Sequence, residues 1–187
     1  IEFYNNKKGN VKIDIQRLNF IESEIGWSNI SGLIKNDFSY YSNYIIVFDT
    51  DLNGDLGDKL KNNLKGSLFE NPTSGKDTYF ILPTIPEFKN YNIERMMWEF
   101  LISLPADDEF YNTTFARETP ITKQLIEANG VESEKYTDLK EKKKYKIWFE
   151  DYKHIIEELL PFYLNENMQL IMDFGGRIEK YYNNLVK

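Results

Sequence analysis

The chain has 187 residues, 41% of them hydrophobic and 16% aromatic, with no cysteine and a single histidine, His154. That composition is ample for a packed domain and excludes disulfide scaffolds, zinc-thiolate sites and histidine-rich metal sites, so oxygen must be the ligand for any metal. A net charge of -7 excludes a uniformly basic nucleic-acid-binding surface, and no run of about 18 apolar residues or basic-then-apolar leader marks a membrane span or secretion signal, so a cytoplasmic protein with no membrane partner is expected.

The first patterned segment, Val11-Lys12-Ile13-Asp14-Ile15-Gln16-Arg17-Leu18, alternates apolar and polar residues and predicts a strand near a sheet edge. Gly26-Trp27-Ser28-Asn29 then punctuates the chain, with Ser28 or Asn29 expected to cap a short helix carrying Ile30, Leu33 and Ile34. Ile45 to Phe48 is β-branched and aromatic without polar alternation, which predicts a strand buried on both faces of a mainly parallel sheet. That run delivers Asp49 and Asp51 into a turn at Gly54. Leu56, Leu60 and Leu64, four residues apart, predict the next helix, Asn71 to Gly75 a loop, and Thr78 to Leu82 a further strand stopped by Pro83 and Pro86. Alternation of strands and helices predicts parallel pairing with right-handed crossovers.

The second half is helical in pattern. Apolar residues are dense from Ile93 to Leu104, and Thr119-Pro120 reads as a cap and first helical position leading into Ile121 to Ala128, closed by Gly130. Lys140 to Leu160 and Asn167 to Val186 complete the region, with a break expected near Pro161 and a kink at Gly175-Gly176. The run Lys140, Lys142, Lys143, Lys144 and Lys146 is either a solvated helix face or a phosphate-contacting stripe. Trp148 and Phe149, at helical spacing with Tyr145 and Tyr152, fit a core better than a base-stacking platform, and His154 is assigned no chemistry.

Three chemistries compete for the acidic turn. Asp49-x-Asp51-x-Asn53-Gly54-x-Asp55 matches the opening of a calcium loop, but the twelfth position is Leu60, which has no carboxylate, and a strand precedes the turn where an EF-hand has a helix. The aspartates could instead only cap the following helix, a task that needs one carboxylate rather than a cluster. The third reading is a catalytic divalent-metal site, since carboxylate oxygens are the hard donors that Mg²⁺ and Mn²⁺ prefer.

The string YIIVFDTDLNG resembles the DxDxxG motif of Toprim domains, shared by topoisomerases, DnaG-type primases and the overcoming-lysogenization-defect (OLD) family of nucleases. RLNFIESEIGWSNISGLI resembles the strand, glycine turn and helix upstream of that motif, and YFILPTIPEFKNYNIERMMWEFL the strand and acidic helix downstream. KKKYKIWF and the helical tail resemble the carboxy-terminal extensions of OLD-like nucleases, which accompany an ATPase. The likeness spans most of the chain, with DxDxxG its one sharp motif. A departure stands beside it: Toprim domains carry a glutamate, usually in an EG pair ending their first strand, and this chain has no EG pair. Glu2 does not replace it, because too few residues separate it from Val11 for a crossover. Ile1 to Asn5 is therefore expected to end a helix that follows the missing strand, with an EG pair within about twenty residues upstream of Ile1.

The resemblance implies an α/β fold, a Toprim-like Rossmannoid parallel sheet flanked by helices, over residues 1–105, with an α-helical carboxy-terminal extension over 106–187. It implies metal-dependent DNA cleavage by phosphodiester hydrolysis, with Asp49, Asp51 and Glu94 as catalytic and metal-binding residues, Gly54 as the turn residue, Mg²⁺ or Mn²⁺ as cofactor, and Lys143, Lys144 and Lys146 as candidates for DNA-backbone contact. Asp55 and Asp58 are either outer groups of that site or favourable charges in a first helical turn. DNA and an ATPase domain or subunit are the implied partners, with homo-oligomerisation through the ATPase and a role in phage defence or DNA repair. The competing expectation is a catalytically degenerate Toprim domain that binds a partner protein. Strand passage or primer synthesis is a third, and strand passage needs a nucleophilic tyrosine in a context that none of the tyrosines here provides.

Overall fold

The structure, a computed structural model, describes residues 1–20, 26–41, 44–64 and 79–186, with the backbone alone at residues 38 and 39. Two compact units are present: residues 1–90 with 168–187, and residues 91–167. The protein is of mixed α/β composition, mostly helical, with a two-stranded parallel sheet among the described residues. No helix among them is long and apolar enough to cross a membrane.

In the first unit, β1 (Val47–Phe48) pairs with β2 (Phe80–Ile81), Val47 opposite Phe80 and Phe48 opposite Ile81. The parallel pairing expected of these two segments is present. Successive side chains of a strand point to opposite faces, so the pair feeds two cores. On one face Phe48 and its neighbour Ile46 meet Ile34 of α2 (Trp27–Asn36) and Leu60 and Leu64 of α4 (Asp55–Leu64). On the other, Phe80 packs with Tyr4 of α1 (Glu2–Lys8), Ile13, and Ile178 and Tyr182 of α10 (Met168–Leu185). Helices thus cover both faces of the pair. Burial of β1 departs from expectation: Val47 is 43% exposed, and only Phe48 of the two is buried.

Segment 11–18 is not a strand. Asn5 intercepts its backbone: the Oδ1 accepts from the N–H groups of Lys12 and Ile13, and the Nδ2 donates to the carbonyl of Ile13. Asp14 then caps a 3-10 turn at Ile15–Arg17 by accepting from the N–H of Gln16. With those groups satisfied locally, the apolar half of the alternation serves to bury Ile13. α1 lies where a helix was expected and ends at Gly9 in the left-handed conformation. α2 starts two or three residues earlier than predicted, with Gly26 as its cap in place of Ser28 or Asn29, followed by a short α3 (Phe38–Tyr41). The predicted loop at Asn71 to Gly75 and the Thr78 end of the second strand lie outside the described residues.

α10 runs unbroken through Gly175-Gly176. A Cβ at Gly175 would sit 2.3 Å from the Tyr4 ring, so the glycine makes room for that ring rather than a kink. The expected division at residues 105 and 106 differs from the observed units, because α10 returns to the sheet while α5 (Ile93–Ser103) belongs to the helical unit.

That helical unit, residues 91–167, contains α5, α6 (Thr114–Glu118), α7 (Lys123–Ala128), α8 (Glu141–Asp151) and α9 (Lys153–Glu166). Trp98 and Trp148 meet edge to face at 4.7 Å at its centre, and the Trp148 indole donates to the carbonyl of Asn129. The expected cap at Thr119-Pro120 is replaced by Thr122, whose hydroxyl accepts from the Leu125 N–H, while Thr119 closes α6. The expected break at Pro161 falls instead at Tyr152, whose φ of -117° and ψ of 30° end α8. Pro161 sits within α9 on an exposed face, where water can take the hydrogen bond its ring forgoes.

Asp151 joins two elements of this unit by accepting from Lys135 Nζ at 2.6 Å and the Tyr136 hydroxyl at 2.8 Å. The lysine, then the tyrosine, hold its carboxyl below the usual carboxylate range, while burial and the bond to Asp151 push Tyr136 up to about 12. Because the folded pKa of Asp151 is depressed, its contribution is present above the ordinary carboxylate pKa and lost as pH falls through the lowered value. Asp151→Asn should therefore lower the melting temperature at neutral pH, with the difference from wild type vanishing at acidic pH. Thermal melts of both proteins across that range check this.

Candidate metal centre

Asp49 leaves β1 and immediately turns the chain. Its Oδ1 accepts from the Thr50 N–H at 2.6 Å and from the Thr50 hydroxyl at 3.2 Å, capping a 3-10 turn over Thr50–Asn53. Asp51 lies inside that turn and is only 8% exposed. Asp49 thus caps this 3-10 turn, whereas the capping expected of the aspartates was of the following helix, α4.

Asn53 locks the turn to the sheet, its Nδ2 donating to the carbonyl of Thr50 at 2.9 Å and to that of Leu82, just beyond β2, at 2.8 Å. Asn90 Oδ1 accepts from the Asp55 N–H at 3.0 Å, fixing the start of α4. The close approach expected at Gly54 is present: a Cβ there would lie 2.8 Å from the Lys89 carbonyl oxygen and closer still to the Asn90 amide. Gly57 is tighter against the backbone, where a Cβ would stand 2.2 Å from the Leu52 carbonyl oxygen. These contacts argue against the calcium loop, because Leu60 is fully buried in the core.

Both aspartates line one side of an open cleft of about 560 Å³ in the first unit. Its other walls carry Trp27, Tyr40, Tyr41 and Tyr44, residues that sequence reasoning passed over. The signal was the aromatic density of Tyr40-Tyr41 and Tyr44 directly before the strand. Among the described residues, no three Asp, Glu or His side chains converge as a metal-holding group. The two carboxylates are hard oxygen donors suited to a Mg²⁺ or Mn²⁺ ion that keeps several waters, and they are the part of a donor set that this turn supplies.

Glu94 lies in the helical unit, in the first turn of α5, where its Oε2 accepts from the Asn92 amide. Arg95, its neighbour, pairs with Glu99 and Glu141, each at 3.4 Å, and stacks over Tyr91 at 4.0 Å. Of the three lysines proposed for DNA contact, Lys144 is buried and held by Glu132 and Glu141, the bond to Glu132 raising its pKa. Its ammonium is committed within the fold. Lys143 and Lys146 are exposed on α8. Trp148 and Tyr145 are buried, as a core role requires, and Phe149 is half-buried. Asp55 and Asp58 stand in the first turn of α4, with Asp58 3.6 Å from Lys61 in an exposed pair.

Comparison with protein families, with curated proteins and with solved structures finds no match to the chain.

Proposed function

We propose that the chain is a Toprim-like nuclease module that hydrolyses phosphodiester bonds in DNA with Mg²⁺ or Mn²⁺ held by Asp49 and Asp51. The observation that carries this reading is the setting of Asp51: a carboxylate 8% exposed, just past the carboxyl end of a parallel strand, sharing a cleft with Asp49. Ligands of parallel α/β sheets bind where the strands end. The helices on both faces of β1 and β2 further support a Rossmannoid core.

When bound, the metal supplies an activated water and stabilises charge on the reacting phosphate. The protein's share is positional. Asn53 and Asn90 hold the turn that carries both aspartates, and Gly54 and Gly57 admit the close packing around it. Lys143 and Lys146 are proposed as contacts to the DNA backbone. The proposed setting is a cytoplasmic, homo-oligomeric ATPase-nuclease acting in phage defence or DNA repair.

Incubation of the full-length protein with supercoiled plasmid and Mg²⁺ or Mn²⁺, with and without ATP, tests this. Nicked or linear DNA is expected from wild type and not from the Asp49→Ala, Asp51→Ala variant. Cleavage that survives the double substitution, or no cleavage under any metal and nucleotide condition, would leave the degenerate interaction module as the better account.

A further inference from the structure

The cleft that receives Asp49 and Asp51 is not uniformly apolar; it is paved with rings. Tyr40, Tyr41 and Tyr44 form a cluster with centroids 5.0, 5.2 and 5.8 Å apart, and the Tyr44 hydroxyl donates to that of Tyr40 at 2.7 Å. Trp27 stands on the same wall, half-buried against the core beneath. Tyr40 is 55% exposed. The rings lie at one end of Tyr44-Ile45-Ile46-Val47-Phe48-Asp49 and the carboxylates at the other.

We infer that this cleft is a single-strand track, in which nucleobases flanking the scissile phosphodiester leave their stack and pack on Tyr40, Tyr41, Tyr44 and Trp27 while that phosphodiester lies at the carboxylate end. The inference rests on the nuclease reading and names its substrate class: DNA with a single-stranded segment. Three observations support it together. Aromatic faces accept any base, which suits recognition without sequence readout. A volume of about 560 Å³ lies in the range that admits a ligand of nucleotide size. Rings and carboxylates line the same cleft, so a short strand can lay its bases on the rings with a phosphodiester at Asp49 and Asp51. Paired bases in a duplex are stacked on one another and present no face to the protein, which makes an unstacked strand the form that fits.

The test uses anisotropy of labelled oligothymidylate, alongside its duplex with oligoadenylate, on the chain carrying Asp49→Asn and Asp51→Asn. That background removes both cleavage and the repulsion between carboxylates and phosphate, so ring binding is read independently of the metal. The single strand is expected to bind more tightly than the duplex, to lose roughly fivefold or more with Tyr40→Ala, and to keep its affinity with Tyr40→Phe. Tyr40 is exposed, so neither change threatens folding. Equal binding of duplex and single strand, loss with Tyr40→Phe, or no effect of Tyr40→Ala overturns the inference. So does tetramethylammonium competing with the strand, which would make the rings a cage for an organic cation. Metal-dependent plasmid cleavage without ring-dependent binding would remove the track and leave the nuclease; ring-dependent binding without cleavage would do the reverse.

Discussion

Asp51→Asn is expected to reduce metal-dependent nicking by about 10³-fold or more, equivalent to roughly 4 kcal/mol of transition-state stabilisation, while leaving the fold intact. Asparagine has the shape of aspartate and keeps an oxygen, but it lacks the charge that holds a hard divalent cation. The stability side of the prediction discriminates further. Asp51 is buried inside a turn capped by Asp49 and locked by Asn53. Asparagine keeps the size of the side chain in that turn, and the melting temperature of Asp51→Asn should stay close to that of wild type. Loss of nicking with unchanged or increased stability marks a group kept for chemistry. Loss of nicking with a fall in melting temperature would mark a structural carboxylate instead.

The opposite signature is expected at Gly57. Its Cβ position is occupied by the Leu52 carbonyl oxygen at 2.2 Å, a backbone atom of the same turn that carries Asp51. Alanine there must push α4 away from the turn or deform the turn itself, since neither partner is a side chain free to rotate. Overpacking of this kind costs about 3 kcal/mol, which in a chain of this size lowers the melting temperature by roughly 6–12 °C. Because the displaced element bears Asp51, metal-dependent activity should fall with stability. The contrast with Gly54→Ala is informative, since there the nearest obstacle is the Asn90 side chain and the next is the Lys89 carbonyl oxygen at 2.8 Å. Asn90 can swing aside, so Gly54→Ala should destabilise less than Gly57→Ala. Thermal melts of the two variants, followed by nicking assays at a temperature where both are folded, separate these cases.

How much of this was legible in the sequence varies with how local the cause is. The parallel pairing of β1 and β2 followed from two short runs of β-branched and aromatic residues separated by a helix of evenly spaced leucines, and those leucines are where the pattern puts them, with Leu60 and Leu64 in the core. The position of Asp49 at the end of a strand was equally legible. Segment 11–18 misled because its alternation is genuine, but Asn5 supplies from another element the hydrogen bonds a neighbouring strand would have given. Pro161 misled for a different reason: exposure lets a helix absorb a missing N–H that would be intolerable in a core.

Long-range contacts were the least accessible. Nothing in the local pattern of α10 says that Tyr181 meets Phe80 at 5.8 Å, or that Gly175 is small to fit the Tyr4 ring, yet these contacts return α10 to the sheet unit. Lys144 shows the same limit within the basic run: the other lysines of the run are exposed, while its own ammonium is drawn to Glu132 by the path of the chain before α8. The cleft rings were visible as residues and invisible as a wall.

The central claim is that Asp49 and Asp51 together hold a divalent cation, and Mn²⁺ uptake followed by electron paramagnetic resonance tests it most directly. Titrating free Mn²⁺ with the wild-type chain should withdraw the aquo-ion signal into a single protein site that Mg²⁺ displaces, and Asp51→Asn should weaken that site by at least roughly tenfold. Mn²⁺ uptake of equal strength in the two proteins, or none in wild type, would contradict the account.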